Sequence, residues 1–210
     1  MKKIYFVRHG ETNYNSDGKV QDHSSILTEK GLAQAELVAD RLKNLSFDTL
    51  VSSDYERTKQ TAEVVKKAIG KEPIYNELFR EIRRPSEFFH QPRSGAFFDY
   101  IEEEVRNLRT DECWKHSDEE SFVEVQNRIK MALDYLENLN GDVVVISHGH
   151  FIRRLIATVA VDFQLTGTIW SHMYHSFYAT NTGITTIIKK PDSERWQILT
   201  FNDHAHFADN

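Results

Sequence analysis

Apolar residues in this chain fall into short unbroken runs separated by longer amphipathic stretches, and that alternation predicts the elements. Lys3-Ile4-Tyr5-Phe6-Val7 is a continuous run of β-branched and aromatic residues, as expected of a strand buried on both faces. Asp48 to Ser52, Pro73-Ile74-Tyr75 and Val143-Val144-Val145-Ile146 read the same way, the last after a Gly141-Asp142 turn. Between them the period changes to that of a helix. Thr28 is placed to cap a helix carrying Leu32, Ala35, Val38, Ala39 and Leu42 on one face. A second helix is predicted from about Asp54 to Ile69, with Ala62, Val65 and Ala68 inward and Gly70 as its stop. Helices are also predicted over 121–139, with Val125, Ile129, Ala132, Leu133 and Leu136 aligned, and over 149–161. Ile184 to Ile188 and Trp196 to Phe201, joined by a Lys-Pro-Asp-Ser turn, form a hairpin.

Strand and helix alternating four times imply a mostly parallel sheet covered on both faces, a three-layer α/β/α sandwich, with the hairpin as an antiparallel edge. The polar stretch from Gly10 to Ser25 reads as loop. From about 82 to 120 the pattern weakens. Pro85 and Pro92 interrupt it, aromatics come in pairs (Phe88-Phe89, Phe97-Phe98), and Glu102-Glu103-Glu104 is an acidic run. This stretch is expected to be an irregular insertion capping the site, its phenylalanines a small core of its own. No repeat or low-complexity linker divides residues 1–210, so one domain is expected.

Composition narrows the function classes. The chain has 210 residues, 40% hydrophobic and 28% charged, with 9 glycines and 4 prolines, a balance unlike disordered or fibrous chains. Its single cysteine, Cys113, cannot form an internal disulfide, which suits a reducing, cytoplasmic setting. The opening Met1-Lys2-Lys3 is followed by only four apolar residues before Arg8, too few for a signal-peptide core. No apolar run approaches the roughly 18 residues of a membrane helix. A net charge of −6 argues against a nucleic-acid partner. It also means that any anionic substrate must be met by a local basic pocket.

Ten histidines are the conspicuous feature of the composition, and two of them end predicted strands: Val7-Arg8-His9-Gly10 and Ile146-Ser147-His148-Gly149. Ligands of open parallel sheets bind beyond the carboxyl ends of the strands. Imidazole there can act as a nucleophile toward phosphorus. Phosphoryl transfer then requires fixed positive charge over the equatorial oxygens, which guanidinium groups supply. Arg8 adjoins His9, and Arg57 lies just past the second strand. His148 and the backbone amides near Gly149, at a helix start, add donors. A carboxyl in the loop near Glu81 is placed to protonate a leaving group.

These segments resemble the histidine phosphatase superfamily, which includes cofactor-dependent phosphoglycerate mutase. Arg8-His9-Gly10-Glu11-Thr12 with Asn15 is similar to its opening RHG-x-T-x-x-N. Gly18, Gln21, Leu27-Thr28, Gly31 and Gln34-Ala35 resemble the family's next segment, in a loop one residue shorter than usual. Ser52-Ser53 through Arg57 to Gln60-Thr61-Ala62 resembles the SS-x-x-x-R-x-x-Q-T-A block, and Glu120-Ser121 and Ser147-His148-Gly149 complete the match. Only 82–120 and 162–182 lie outside it. The resemblance implies His9 as the phosphorylated nucleophile, with Arg8, Arg57 and His148 around the phosphoryl group. It implies Asn15, Gln21 and Gly149 as substrate contacts and Glu81 as the proton donor, with Glu77 and Glu87 as neighbouring candidates. The mutases have Arg directly after that glutamate and Tyr-Gly soon after. Ile82-Arg83-Arg84-Pro85 stands here instead, which favours a phosphatase.

The implied activity is hydrolysis of a small phosphorylated substrate through a phosphohistidine, without metal or cofactor. The alternatives are a mutase, a non-catalytic phospho-ligand-binding protein, and a metal-dependent hydrolase built on His148-x-His150, His172-x-x-His175 or His204-x-His206. Ser147 lacks the G-x-S-x-G context of a hydrolase nucleophile, and no G-x-G-x-x-G or P-loop is present. Arg83-Arg84 and Arg93 read either as anion contacts or, with slight preference, as solubilising residues of the insertion. Oligomeric state is not legible in the sequence.

Overall fold

The computed structural model describes residues 1–207. Their strands are β1 (Lys2–Arg8), β2 (Thr49–Ser52), β3 (Pro73–Tyr75), β4 (Val143–Ser147), β5 (Ile184–Lys189) and β6 (Trp196–Asp203). The helices are α1 (Asn13–Ser16), α2 (Glu29–Leu42), α3 (Glu56–Ile69), α4 (Ala96–Asn107), α5 (Phe122–Asn138), α6 (Gly149–Ala160) and α7 (Gly167–Met173). The strands form one sheet in the order β3-β2-β4-β1-β5-β6. The first four run parallel, while β5 pairs antiparallel with β1 and β6 antiparallel with β5.

Alternate strand residues feed two apolar layers. Ile4, Phe6, Val51, Val143 and Val145 pack against Val125, Ile129, Leu133 and Leu136 of α5 and Phe151 and Leu155 of α6. Tyr5, Val7, Leu50, Val144 and Ile146 pack on the other face against Val38, Ala39 and Leu42 of α2 and Ala62 and Val65 of α3. The expected three layers are thus present. Helix ends obey the expected chemistry. The Thr28 hydroxyl accepts from the Gly31 amide, Ser121 and Glu124 form a reciprocal capping box, and Gly70 ends α3 at φ 74°. Leu32, assigned inward from its spacing, is instead 41% exposed.

The stretch 82–120 is less irregular than its sequence suggests, because it contains α4. Phe97, Tyr100 and Ile101 are buried at i, i+3 and i+4, a helical spacing obscured by the exposed Phe98 beside them. The segment 162–182 holds α7, and the loop 10–25 the single turn α1. Phe97, Tyr100, Ile101 and Leu108 join Val20, Phe122, Leu165 and Trp170 in a third apolar cluster. Phe88 and Phe89 pack against it, whereas Phe98 does not belong to it.

Arg84 ties this stretch to the rest of the chain and is no solubilising residue. It is largely enclosed, pairs with Glu104 of α4 at 2.5 Å and donates to the Tyr174 hydroxyl at 2.7 Å. Burial of the charge is offset by that carboxylate, and the guanidinium is held above its ordinary range.

Two glycines fix how the loop after β1 meets α2. A Cβ on Gly31 would lie 2.0 Å from the Glu11 carbonyl oxygen, and one on Gly10 would lie 2.3 Å from the Gly31 carbonyl oxygen. Both clashes are with backbone, which has no rotamer by which to yield. Gly31→Ala is therefore expected to lower stability by about 1–3 kcal/mol through overpacking, measured as the urea midpoint. An unchanged midpoint would contradict this packing.

Candidate active site

Register brings the two strand-tip histidines together. β1 and β4 pair Arg8 with Ser147, so His9 and His148 emerge side by side, ring centroids 5.3 Å apart. β2 pairs Ser52 with Ile146, which sets Ser53 next to them, and its hydroxyl lies 2.9 Å from His148 Nε2. All three side chains are buried.

The protonation state of His9 is dictated by its partners. Nδ1 lies 2.7 Å from the Gly10 carbonyl oxygen, which can only accept, so Nδ1 carries the hydrogen. Nε2 then keeps its lone pair, toward which Arg57 Nε donates at 3.2 Å. Burial, followed by the charges of Arg57 and Arg8, holds His9 well below the ordinary histidine range. The ring is neutral at pH 7, with its unprotonated nitrogen on the arginine side. His148 is depressed likewise, by burial first and then by Arg57.

The loop that presents His9 is pinned by its neighbours' side chains. Gly10 N donates to Thr61 Oγ1 and Glu11 N to Gln34 Oε1, while Leu27 N in the facing segment donates to Gln60 Oε1. The glutamines and threonine of the sequence blocks thus bind backbone. Arg8 is enclosed, donating to the Ala179 carbonyl at 2.5 Å, with Nε buried and unpartnered among the described residues. Arg57 donates to the Asp22 carbonyl at 2.7 Å and packs 5.2 Å from the Tyr55 ring centre. Burial pushes both guanidiniums down to about 10, opposed by the Glu81 charge, so both stay cationic at neutral pH.

Glu81 sits at the start of α6. Its Oε1 accepts from Phe151 N at 2.9 Å, and Oε2 from His150 N at 3.2 Å. It lines, with Arg57, Tyr55 and Gln21, a cavity of about 360 Å³ between the strand tips and the cap. Glu77 pairs with Arg80 and Glu87 with His116, both largely exposed. Gln21 accepts from the Thr12 hydroxyl at 2.9 Å, and Gly149 lies against Arg8, where a Cβ would be 3.2 Å from Nε. Asn15 meets the cluster through Asn181, whose amide donates to the His9 carbonyl at 2.9 Å and reaches Asn15 Oδ1 at 3.4 Å.

Asn181, Ala179 and Ser53 are not identifiable from sequence. Ser53 lies inside a family block, but nothing in its type distinguishes a ligand to His148 from a loop serine. Asn181 and Ala179 come from 162–182, where no motif marks the chain that folds back over the site. The remaining histidine pairs do not join the cluster. His150 Nδ1 faces Arg84, and His206 Nε2 faces the Thr182 hydroxyl. Among the described residues no three His, Cys, Asp or Glu side chains group to hold a metal ion.

Two arginines and two buried histidines thus converge near the tips of β1, β2 and β4, an arrangement with the donors and charge to hold a phosphoryl group. The chain belongs to the histidine phosphatase superfamily (branch 1), whose profile matches residues 4–204. It is 33% identical over 167 residues, 76% of this chain and 75% of the relative, to a probable phosphoglycerate mutase, GpmB, of Escherichia coli. Among solved structures it is similar to a phosphoserine phosphatase variant from Entamoeba histolytica in complex with phosphoserine. That likeness has a TM-score of 0.80 and 29% identity over 98% of this chain and 99% of the other. A mycobacterial glucosyl-3-phosphoglycerate phosphatase shares the fold at TM-score 0.78 and 24% identity, over 97% of this chain and 100% of that one.

The depressed histidines have a consequence for stability. Between pH 6.5 and their lower folded values the unfolded chain binds protons that the folded chain does not, so stability falls with falling pH. Each such histidine contributes up to roughly 1.4 kcal/mol per pH unit there. Urea midpoints from pH 7.5 to 5.5 should fall, and the fall should be shallower for His148→Asn. Equal slopes would contradict the burial of a neutral His148.

Proposed function

We propose that the chain is a metal-independent phosphomonoesterase acting through a phosphohistidine at His9 on a small phosphorylated metabolite. The observation that carries this reading is the Nδ1–H to Gly10 bond, which leaves Nε2 unprotonated, its lone pair turned toward the Arg57 Nε–H. In the first step Nε2 attacks phosphorus. The bond to the alcohol oxygen breaks, and the Glu81 carboxyl, protonated on entering this step, gives its proton to that oxygen and is left as the carboxylate. In the second, the Glu81 carboxylate takes a proton from water, whose oxygen attacks phosphorus. The P–N bond breaks, releasing phosphate and restoring neutral His9. Arg8, Arg57 and His148 bind the phosphoryl oxygens in both steps, with the amides near Gly149 and Asn15 beside them. Gln21 contacts the substrate body. The cavity position of Glu81 supports it over Glu77 and Glu87 as the proton donor.

The chain is read as one domain in which 82–120 serves as the cap. The solved phosphoserine phosphatase favours hydrolysis, as does Ile82-Arg83-Arg84-Pro85 after Glu81. The mutase-named relatives make isomerisation the second reading, and stimulation by a bisphosphorylated primer would support it. The described residues contain no helix long and apolar enough to cross a membrane, and Cys113 is exposed as a free thiol, which fits a cytoplasmic location.

A phosphate-release screen over phosphorylated metabolites in excess chelator tests the reading. The wild-type protein should turn over and form an acid-labile phosphoenzyme, vanadate should inhibit it, and His9→Ala should retain less than about a hundredth of the rate. Activity of His9→Ala above that level, or loss of wild-type activity in chelator, would overturn it.

A further inference from the structure

Arg57 is oriented by the protein itself. Its Nε donates to His9 Nε2 at 3.2 Å and its Nη1 to the Asp22 carbonyl at 2.7 Å, so two of its nitrogens fix the plane of the guanidinium. A carbonyl suits this place. A carboxylate there would orient the group equally well but cancel the charge that phosphoryl oxygens require.

The direction of that carbonyl depends on the side chain of the same residue. Asp22 Oδ1 accepts from Ser24 N and Ser24 Oγ, both at 2.9 Å, and from Ser25 Oγ at 3.2 Å, closing the loop on itself. The next carbonyl, that of His23, accepts from Glu56 N at 3.2 Å. Two consecutive loop carbonyls therefore meet the first turn of α3, which carries Arg57. Burial opposes the charge on Asp22, but hydrogen bonds from His90 and Ser24 outweigh it and hold the carboxyl below its ordinary range.

The other carboxylate oxygen, Oδ2, reaches the stretch 82–120. It lies 2.9 Å from His90 Nε2, and because a carboxylate only accepts, that nitrogen carries a hydrogen. His90 is held for this contact. Its ring stacks on Tyr14, centroids 4.7 Å apart and planes 5° from parallel. Its amide donates to the Val20 carbonyl, Val20 N to the Gln91 carbonyl and Arg93 N to the Gly18 carbonyl. His90 also adopts φ 68°, a left-handed state that a residue with a side chain keeps only where its surroundings impose it.

Resting on the phosphatase reading above, we propose that Asp22 is a positioning residue for Arg57, and that His90 makes this positioning depend on the stretch 82–120. The contacts run from the His90 ring through the Asp22 carboxylate and carbonyl to Arg57 and then His9. Neither Asp22 nor His90 takes part in bond breaking.

The test measures hydrolysis of 4-nitrophenyl phosphate by Asp22 and His90 variants, alone and combined with Arg57→Gln. Asp22→Ala should lower kcat roughly thirtyfold with KM within about threefold of wild type, because the charge of Arg57 stays in the pocket while its orientation is lost. Asp22→Asn, which still accepts from Ser24 N, should recover to within about threefold of wild type. The His90 side chain is half exposed, so His90→Ala should cost only about two- to fivefold. His90→Gln, whose amide still donates to the carboxylate, should regain that loss. In the Arg57→Gln background Asp22→Ala should cost less than about threefold, since its effect passes through the missing guanidinium. An equal loss in both backgrounds, or wild-type kcat in Asp22→Ala, would overturn the role of Asp22. Wild-type kcat in His90→Ala would overturn the link to 82–120. If wild type releases phosphate from no ester of the screen above, the phosphatase reading fails. The nitrogen-15 resonance of the Arg57 Nε–H, identified by its loss in Arg57→Gln, then still reads the positioning. It should shift in Asp22→Ala, and an unmoved resonance would overturn the proposal.

Discussion

A single hydrogen bond, from His9 Nδ1 to the carbonyl of the next residue, sets the state of the whole site. It decides which nitrogen keeps a lone pair and in which direction that lone pair points. Everything around it maintains that bond. Gly10 must be glycine for its backbone to approach Gly31, and Gly31 must be glycine to accept Glu11. Thr61 and Gln34 then hold the amides of Gly10 and Glu11, so the carbonyl cannot swing away from the ring. The sheet supplies the other half of the constraint by delivering His148 beside His9 at fixed register.

The second constraint is electrostatic. Arg8 and Arg57 are enclosed at the strand tips, where desolvation weakens the charged form but does not abolish it. Burial, and after it their proximity, keeps both histidines neutral, the state in which an imidazole nitrogen can act as a nucleophile. An acidic chain can therefore hold a strongly basic pocket, because an overall charge of −6 is spread over a surface while the arginines converge. The stretch 82–120 packs beside that pocket through an apolar cluster and the enclosed ion pair of Arg84 with Glu104.

The sheet strands, the long helices of the body and the strand-tip histidines are legible in the sequence because each rests on a local rule: an apolar run, a period, a cap or a motif. Val125 through Leu136 shows the case where spacing alone identifies the buried face. α4 is not legible, since its buried residues at 97, 100 and 101 lie among exposed ones and its start at Gly95 has no side-chain cap. α7 is only two turns and sits where no motif guides the reading. Arg84 and Arg93 read identically as insertion arginines, yet one is an internal tie and the other faces the cavity. Only the partners brought by distant segments, Glu104 and Tyr174, separate them. Asn181 likewise owes its place to a chain crossing that no local pattern encodes.

The tautomer of His9 is the point on which the chemistry turns, and nitrogen-15 NMR of histidine-labelled protein reads it directly. At pH 7, without ligand, His9 should show a protonated Nδ1 and an unprotonated Nε2 in long-range proton–nitrogen correlations. An imidazolium, or a neutral ring protonated at Nε2, would contradict the account.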